Sequence, residues 1–371
     1  MNQVDKKDLY FVLQTLDCGG AETSILELCT SLANKGFNVN IIFFKKRNDL
    51  SYRIPKNVKS IYLYSSSWVS ILITLYRLQK DQTRESIFIS AMEIPNITLL
   101  LSKLFLSKNF KLIILIRCAF DDLVGSNIFR NNIIRLLTRI LYPLSDLCIT
   151  NSIYSSDKII KLNIINRNKV KYIPNQVDIC KYKELSKEIN IDSINESPYI
   201  LCLGNVNKVK NYQLALKAFY YIQKQNKNLN LVVLGAIQSK QTYLHLQKLA
   251  NNLNISKSIK FKGYVKNPFP WIRNSEMLLH TSLSEGFPNA VIQSISLKKP
   301  VLITTMRGDG KYLCDQFKWC KHINSSSPLE IANAVFKLLE NSKILEKDIS
   351  FLNNFSIENV STKYEEEISK K

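Results

Sequence analysis

The stretch Leu283-Ser284-Glu285-Gly286-Phe287-Pro288-Asn289-Ala290-Val291-Ile292-Gln293 joins a short apolar run to an amphipathic segment. Residues 277–279 before it are predicted as a buried strand, and residues 289–297 as a helix. Gly286 and Pro288 indicate a bent backbone between the two elements. A strand, a tight loop and a helix in this order form the repeating unit of a parallel α/β sheet.

The same stretch contains groups suited to binding a sugar. Glu285 lies just after the predicted strand, where its carboxylate and the backbone amides of the following helix start could bind sugar hydroxyls. Gln293, farther along the helix, could reach a ribose. Taken alone, the stretch is explained equally well as a structural loop with a charged helix cap.

The alternation of strands and helices extends in both directions along the chain. In the first half, strands are predicted at residues 9–16, 38–44, 61–63, 86–90, 111–116, 147–150 and 170–173. Helices are predicted between them at 21–34, 96–105, 128–142 and 155–161. In the second half, strands at 199–203, 231–234, 258–261, 277–279 and 301–303 alternate with helices at 212–223, 243–252, 289–297 and 329–340. This pattern predicts two doubly wound parallel sheets.

Domain boundaries follow from length and composition. The 371 residues exceed what one hydrophobic core usually organises, so we expect two α/β domains with a cleft between them. The polar stretch 181–197 separates them, and the alternation restarts after Pro198. The predicted domains are residues 1–185 and 198–350, followed by a terminal segment at 351–371 with helical periodicity.

Two further loops carry groups that favour phosphate. Gly19 and Gly20 lie where the first predicted strand meets a helix, so a phosphate could approach the backbone amides there. The full G-x-G-x-x-G spacing of a dinucleotide site is absent. Lys208 and Lys210 follow the first strand of the second domain, where a lysine could neutralise a diphosphate leaving group. A solvated loop lysine is the alternative.

The net charge is +21, from 51 Lys and Arg against 30 Asp and Glu. Such a charge attracts nucleic acid, nucleotide sugars or an anionic bilayer, although compositional drift towards Lys, Asn and Ile explains it as well. Aromatic stacking platforms interleaved with basic residues, as in a single-strand binder, are not evident, so the sequence disfavours nucleic acid as a partner.

The cysteines indicate a reducing compartment. The eight residues show no CxxC and no metal-ligand spacing, and we interpret them as buried thiols, with Cys314 and Cys320 as a loose pair. The first residues run straight into a strand, so we expect no signal peptide and a cytoplasmic protein.

Membrane contact is expected to be peripheral, because no apolar run reaches the ~18 uncharged residues of a membrane span. Residues 128–142 are predicted as an apolar helix carrying Arg130, Arg135 and Arg139, and residues 99–111 have a similar mixture. Either segment could rest on anionic lipid, at about 1 kcal/mol per basic residue near the surface. A core helix with a solvated basic edge is the alternative for each.

Five short runs occur in a specific order. They are Gly19-Gly20-Ala21-Glu22, Ile173-Pro174-Asn175-Gln176-Val177-Asp178, Phe261-Lys262-Gly263-Tyr264-Val265, Glu285-Gly286-Phe287-Pro288-Asn289 and Phe355-Ser356-Ile357-Glu358-Asn359. Together they resemble the family-4 retaining glycosyltransferases of the GT-B fold, of the bacterial surface-polysaccharide type, over almost the whole chain. The resemblance implies an α/β protein of two Rossmann-like domains, with the C-terminal helix crossing back onto the first.

The resemblance also implies roles for residues. The first domain would bind the acceptor and the second the nucleotide sugar. Glu285 would contact the transferred sugar, and Lys210 would stabilise the diphosphate, which Gly19 and Gly20 would meet from the other side. The backbone groups of Gly286, Phe287, Pro288 and Asn289 would hold the sugar. In the mechanism carried over from the family, the departing diphosphate takes the acceptor proton, which fits a retaining outcome.

Two positions depart from the family pattern. Gln293 stands where a second glutamate is usual, and Asn205 stands where an arginine usually follows the strand glycine. Both remain predicted donor-binding residues, but Asn205 removes a permanent charge from the leaving-group site. Losing one charged hydrogen bond there costs ~1.5–3 kcal/mol, roughly one to two decades of rate.

The residues of the first domain bear on how the acceptor is bound and on whether a metal ion is needed. All three histidines, His245, His280 and His322, lie in the second half, so the first domain offers no histidine base. Arg117, where many family members place a histidine, is predicted to bind an acceptor phosphate, with a capping or salt-bridged arginine as the alternative. No Asp-x-Asp follows a strand, and Asp121-Asp122 is interpreted as a solvated loop pair. We therefore predict no metal and no cofactor.

The leading prediction is a retaining glycosyltransferase that moves a hexose or N-acetylhexosamine from a nucleotide sugar, UDP-linked, to a lipid-linked saccharide. It would act in O-antigen, capsule or related polysaccharide synthesis, at the inner face of the cell membrane. The alternative is a GT-B-like protein that binds nucleotide or a partner enzyme with weak or no turnover. An epimerase or a phosphorylase on the same fold would need different acid/base or cofactor groups.

Overall fold

The computed structural model of the chain describes residues 7–16, 19–45, 54–63, 68–81, 86–105, 110–120, 128–189, 191–196, 198–342 and 347–370. The chain divides into two compact units. Unit 1 consists of Met1–Gln176 and Ile357–Lys371, and unit 2 is Val177–Ser356. Each unit is built on its own parallel sheet.

The sheet of unit 1 has seven strands in the described ranges: β1 (Asp8–Leu13), β2 (Asn38–Phe43), β3 (Lys59–Tyr62), β4 (Ile87–Ala91), β5 (Lys111–Ile116), β6 (Leu147–Thr150) and β7 (Val170–Tyr172). Their spatial order is β3-β2-β1-β4-β5-β6-β7, and every pairing is parallel. The helices are α1 (Gly20–Asn34), α2 (Trp68–Asp81), α3 (Glu93–Lys103), α4 (Ile128–Leu141) and α5 (Ile153–Lys161). Short 3-10 turns cover Tyr142–Leu144 and Arg167–Lys169.

Strand β1 shows why both faces of this sheet are covered. Leu9, Phe11 and Leu13 enter one apolar cluster, and the alternate residues Tyr10 and Val12 enter another on the opposite face. Successive side chains of a strand point to opposite faces, so an uninterrupted apolar run requires helices on both sides.

Unit 2 repeats the arrangement. Its strands are β8 (Tyr199–Leu203), β9 (Asn230–Leu234), β10 (Ile259–Gly263), β11 (Met277–His280), β12 (Val301–Ile303) and β13 (Cys320–His322), in the order β10-β9-β8-β11-β12-β13. Its helices are α6 (Ile179–Leu185), α7 (Ile191–Asn195), α8 (Tyr212–Gln225), α9 (Lys240–Asn252), α10 (Phe269–Asn274), α11 (Asn289–Ser296), α12 (Gly310–Cys314) and α13 (Pro328–Ser342), with 3-10 turns at Ser256–Ser258 and Ser350–Phe355. The sheet order reverses between β8 and β11, which is where open α/β sheets bind ligands.

The last helix, α14 (Ile357–Ser369), belongs to unit 1. Val360, Tyr364 and Ile368 lie at helical spacing and are buried in the apolar cluster of β1 and α1. The ammonium group of Lys111 donates to the backbone carbonyls of Glu367, Ile368 and Lys370, at 2.7, 3.2 and 2.6 Å. A lysine thus caps the carboxyl end of α14, where a positive charge is favourable.

Several predicted bounds differ from the structure. The division between the units falls at Gln176/Val177, so residues 177–185, predicted in the first domain, lie in unit 2. The predicted linker 181–197 contains the end of α6 and all of α7, and Asp178 caps α6 by accepting from the amide of Lys181 at 2.9 Å. Helix α2, helix α10 and strand β13 have no counterpart among the predicted elements.

The interpretation of the cysteines as buried thiols is wrong at several positions. Cys314 and Cys320 form a disulfide, with their Cα atoms 5.0 Å apart. Backbone hydrogen bonds from Phe317 to Cys314 and from Cys320 to Phe317 turn the chain back between them. Cys180 is exposed and Cys118 is half-buried. Cys18 lies outside the described residues.

Candidate active site

The candidate site of unit 2 lies where the loops after β8 and β11 meet. The two strands are neighbours in the sheet, so their carboxyl ends lie side by side. Leu283 donates its amide to the carbonyl of Val209 at 2.8 Å, and the hydroxyl of Thr281 donates to the carbonyl of Lys210 at 3.0 Å. The hydroxyl of Ser282 also donates to Val209, at 3.2 Å. Backbone contacts therefore fix one loop against the other.

The predicted catalytic residues Lys210 and Glu285 meet at this point. The Nζ of Lys210 forms an ion pair with Oε1 of Glu285, although the residues are 75 positions apart in sequence. Their side chains are 19% and 18% exposed, so the pair is mostly buried but reachable. His280, at the end of β11, places its Nε2 3.4 Å from the same carboxylate oxygen and is almost fully buried.

The electrostatics of the three groups keep Glu285 ionised. Burial opposes the charge of its carboxylate, but Lys210 and the imidazole of His280 outweigh burial and hold the Glu285 pKa well below its ordinary range. For His280 the balance is reversed. Burial lowers the His280 pKa despite the adjacent carboxylate, and Lys210 acts in the same direction. At neutral pH the site therefore contains a carboxylate, an ammonium group and a neutral imidazole.

Two glycines allow the close packing of this site. The side chain of Lys210 packs directly over Gly204, which has φ +145°. A Cβ at this position would lie only 2.6 Å from the Cε of Lys210, so a larger residue does not fit. Gly308, with φ +108°, lies against the backbone carbonyl of Glu285, where a Cβ would clash. The backbone carbonyl of Arg307 accepts a hydrogen bond from the amide of Glu285 at 3.0 Å, and the amide of Arg307 donates to the carbonyl of Leu283 at 3.0 Å. The Glu285 loop is thus held by the chain after β12.

The other predicted donor-binding residues of unit 2 lie on the loop after β8, in the turn after Glu285 and on α11. Phe287 points into the core, 5.4 Å from the ring of Phe355 and 4% exposed, so it offers a ligand only backbone groups. The Oδ1 of Asn205 accepts from the amide of Ala236 at 3.1 Å, which ties the β8 loop to the β9 loop. Gln293 is half-buried on α11, and Gly286, Pro288 and Asn289 form the turn into that helix.

Gly19 and Gly20 start α1 in unit 1. A Cβ at Gly19 would collide with the carboxylate of Glu22, which is 7% exposed. A carboxylate at a helix start is favoured by the positive end of the helix. The negative group of Glu22 therefore lies beside the glycine at which a diphosphate is predicted.

Arg117 lies directly after β5 and is 8% exposed. Its guanidinium donates to Oδ1 of Asn175 at 2.6 Å and to the hydroxyl of Tyr364 at 3.0 Å. Asn151 also donates to Oδ1 of Asn175, at 3.3 Å. Arg117 thus links the ends of β5 and β7 to α14, and no acidic side chain among the described residues forms an ion pair with it. Asp121 and Asp122 lie outside the described residues.

Sequence reasoning missed three contributors to the unit 2 site. His280 is a lone histidine at the end of an apolar strand, a pattern more typical of a core residue than of a functional one. Gly308 and Gly235 are separated from the motifs by long stretches of chain, and Gly235, with φ +150°, packs against the backbone of Gly204. Their signal is a glycine just after a predicted strand, which indicates close backbone approach.

Comparison with known proteins identifies the family of the chain. The chain matches a family model of glycosyl transferases group 1 over residues 184–350 and a model of Glycosyltransferase Family 4 over residues 18–181. A glycosyltransferase of Methanocaldococcus jannaschii, described as uncharacterized, is 30% identical over 227 residues, which are 59% of this chain and 54% of that protein.

Two further proteins extend the comparison. The N-acetylgalactosamine-N,N'-diacetylbacillosaminyl-diphospho-undecaprenol 4-alpha-N-acetylgalactosaminyltransferase of Campylobacter jejuni is 24% identical over 314 residues, 81% of each chain. The structure of HepE from Anabaena in complex with UDP and glucose has a TM-score of 0.79 at 14% identity, covering 98% of this chain and 99% of that one. The GT-B fold is confirmed, and the chain belongs to the family-4 glycosyltransferases.

Proposed function

We propose that this glycosyltransferase is retaining and moves a hexose or N-acetylhexosamine from a UDP-sugar to a lipid-linked saccharide in surface-polysaccharide synthesis. The observation that carries the proposal is the pairing of Lys210 with Glu285 at the switch point of the unit 2 sheet. A basic side chain and an ionised carboxylate, both partly reachable, are the groups needed at a sugar diphosphate.

Each residue has a stated part in the reaction. Lys210 faces the diphosphate and stabilises the negative charge that develops as the bond to the sugar breaks. Glu285 stays ionised and contacts the transferred sugar, while the turn 286–289 supplies backbone groups. The departing diphosphate accepts the acceptor proton, so that attack and departure occur on one face and the anomeric configuration is retained.

Donor binding must compete with the ion pair. Glu285 neutralises the charge of Lys210 in the ion pair, and the diphosphate of the donor takes over part of that role. His280 then keeps a polar contact to the carboxylate that Lys210 partly leaves. This exchange limits the cost of moving the lysine, because Glu285 is never left without a partner.

A lipid-linked acceptor is supported by the Campylobacter relative, whose name specifies a diphospho-undecaprenol substrate. In unit 1, α4 exposes Ile133, Leu136 and Ile140 beside Arg135 and Arg139. Apolar and basic side chains on one exposed helix suit the interface of an anionic membrane. We place the enzyme at the inner face of the cell membrane. None of the helices in the described ranges is both long and apolar enough to cross a bilayer.

The first test is a thermal-shift screen of the purified protein against UDP-, GDP- and CDP-sugars in EDTA. A donor at about 100 times its Kd adds about 2.7 kcal/mol to the free energy of unfolding. We expect one UDP-sugar to respond without metal, and transfer from it to give the retained anomer. A product of inverted configuration contradicts the retaining mechanism, and a donor response that requires a divalent cation contradicts metal independence.

Glu285→Ala separates catalysis from binding alone. We expect transfer to fall about 10²–10³-fold, as when a preorganised electrostatic group is removed, with the circular dichroism spectrum unchanged. Glu340→Ala, an exposed glutamate on α13, is the matched control and should retain full activity. If the wild type binds a donor but transfers nothing, the binding-only alternative replaces the proposal.

A further inference from the structure

A cavity of about 530 Å³ lies in unit 1 beside α4 and α5. Its walls include the apolar side chains of Phe120, Ile134, Leu162 and Ile164. Three of these are buried, and Leu162 is 43% exposed at the edge. The volume is in the range of small-molecule sites. Its lining residues, as far as the structure describes the chain, belong to unit 1, whereas Lys210 and Glu285 belong to unit 2.

Three cationic side chains line the same cavity, namely Arg135, Arg139 and Lys158. No acidic side chain is among the lining residues that the structure describes. Arg135 and Arg139 stand one helical turn apart and have no ion-pair partner within the described ranges. Like charges at this spacing destabilise a helix, so the arrangement favours an anionic ligand.

Thr138, between the two arginines, carries an unused polar group. Its hydroxyl is buried and has no hydrogen-bond partner among the described residues, although a threonine within a helix usually donates to the carbonyl four residues earlier. Thr30, Thr74 and Thr98 all do so, at 2.9 Å or less. Thr138 also lines the cavity. A buried hydroxyl without a partner is costly unless a ligand satisfies it.

We infer that this cavity binds the diphosphate end of an isoprenyl diphosphate, with the first isoprene carbons against the apolar wall and the phosphates at Arg135, Arg139 and Thr138. The inference rests on the proposed function and specifies the lipid part of its acceptor. A free sugar leaves the apolar wall unfilled, and a neutral lipid leaves both arginines and the hydroxyl unpaired. An amphipathic anion satisfies all of them.

The test uses the whole protein with geranyl diphosphate as the probe, in isothermal titration calorimetry without any donor sugar. We expect geranyl diphosphate to bind at least about tenfold more tightly than inorganic diphosphate or geraniol, because each of those lacks one half of the contacts. Equal binding of inorganic diphosphate overturns the role of the apolar wall. Equal binding of geraniol overturns the role of the cations.

Variants assign the site. Arg135→Ala and Arg139→Ala should each weaken the binding of geranyl diphosphate about tenfold. Thr138→Val should weaken it by a smaller factor, and Thr138→Ser, which keeps the hydroxyl, should bind as the wild type does. Arg77→Ala, an exposed arginine on α2, is the control and should bind as the wild type does. Unchanged affinity in both α4 variants overturns the inference. The donor thermal shift is measured on the same variants, so failure of the donor site is seen separately.

Discussion

The two sheets share a strand order, yet their carboxyl edges differ chemically. The first six strands of unit 1 run in the order β3-β2-β1-β4-β5-β6, with β7 added beyond β6, and unit 2 repeats the six-stranded order as β10-β9-β8-β11-β12-β13. The edge of unit 2 carries the ion pair Lys210–Glu285. The edge of unit 1 carries Arg117, held by an amide oxygen and a phenol. Topology therefore sets where a site forms, and the side chains decide which ligand it suits.

The difference lies in how each cation is neutralised. Lys210 faces a carboxylate that burial would otherwise neutralise, so the charge of Glu285 depends on the lysine. Arg117 donates to two neutral side chains, while its Nε is buried without a hydrogen-bond partner, and no acidic side chain among the described residues forms an ion pair with it. An ion pair suits a site that exchanges partners with a charged substrate. Hydrogen bonds from an arginine to neutral side chains suit a structural contact that holds the strands against the helix.

The largest stability effect should come from removing Lys210. Lys210→Met leaves the Glu285 carboxylate buried with only His280 beside it, so we expect unfolding by urea to cost about 1–3 kcal/mol less. The double variant with Glu285→Gln should recover part of the loss. Lys208→Met, an exposed lysine two positions earlier, is the control. Equal stability of Lys210→Met and Lys208→Met would erase the proposed contrast between the sheet edges.

A smaller loss of stability is expected when Arg117, at the sheet edge of unit 1, is replaced. Arg117→Met removes hydrogen bonds to Asn175 and Tyr364 but leaves no charge unpaired, so the free energy of unfolding should fall by about 1 kcal/mol. Tyr364→Phe removes only the second bond and should cost less. Both are measured by urea unfolding. A loss at Arg117 greater than at Lys210 would reverse the comparison.

The smallest expected effect is on the pH dependence of stability. It also distinguishes the two units, because all three histidines lie in the sequence of unit 2. The lowered pKa of His280 means that the folded protein binds fewer protons than the unfolded chain just below pH 6.5. Stability should therefore fall as the pH drops through 6.5, by less than about 1.4 kcal/mol per pH unit. The Glu285 contribution, present above its ordinary pKa of 4.5, is lost only at lower pH.

His280→Asn should remove the first part of this decline, measured by thermal unfolding from pH 7 to 5. His322 also has a lowered pKa, because of burial and Lys311, with Asp315 opposing. His322→Asn is therefore the comparison variant. If it removes more of the decline than His280→Asn, the buried imidazole beside Glu285 is not the main acid-sensitive group.

Much of the fold is predictable because short apolar runs bounded by polar residues are typical of buried strands. The bounds of β5, β6, β8 and β12 agree with the prediction. Helix α2 was missed because Trp68–Asp81 is rich in Ile, Leu, Thr and Tyr, a composition that a strand would share. Its helical state depends on burying Ile71 and Leu75 against the sheet. Strand β13 is as short as β12, but its sequence Cys320-Lys321-His322 contains no β-branched residue, so nothing in it indicates a strand.

The candidate site was predictable in parts only. Lys210 and Glu285 each follow a predicted strand, which located them at a sheet edge. Their contact requires β8 to pair with β11, and that pairing is a property of the whole sheet. The role of His280 depends on the same pairing. Arg117 could be predicted to lie at the edge of the first sheet, but its partner Tyr364 is 247 positions away.

The place of α14 in the fold has a consequence for biosynthesis. The segment that completes unit 1 follows all of unit 2 along the chain, so a ribosome makes the whole of unit 2 before the residues that close unit 1. Until then the faces that receive Val360, Tyr364 and Ile368 stay uncovered, and Arg117 lacks its phenol partner. Exposed apolar surface of this kind is what chaperones bind and what drives aggregation. The half of the enzyme that is synthesised first is thus the half that finishes folding last.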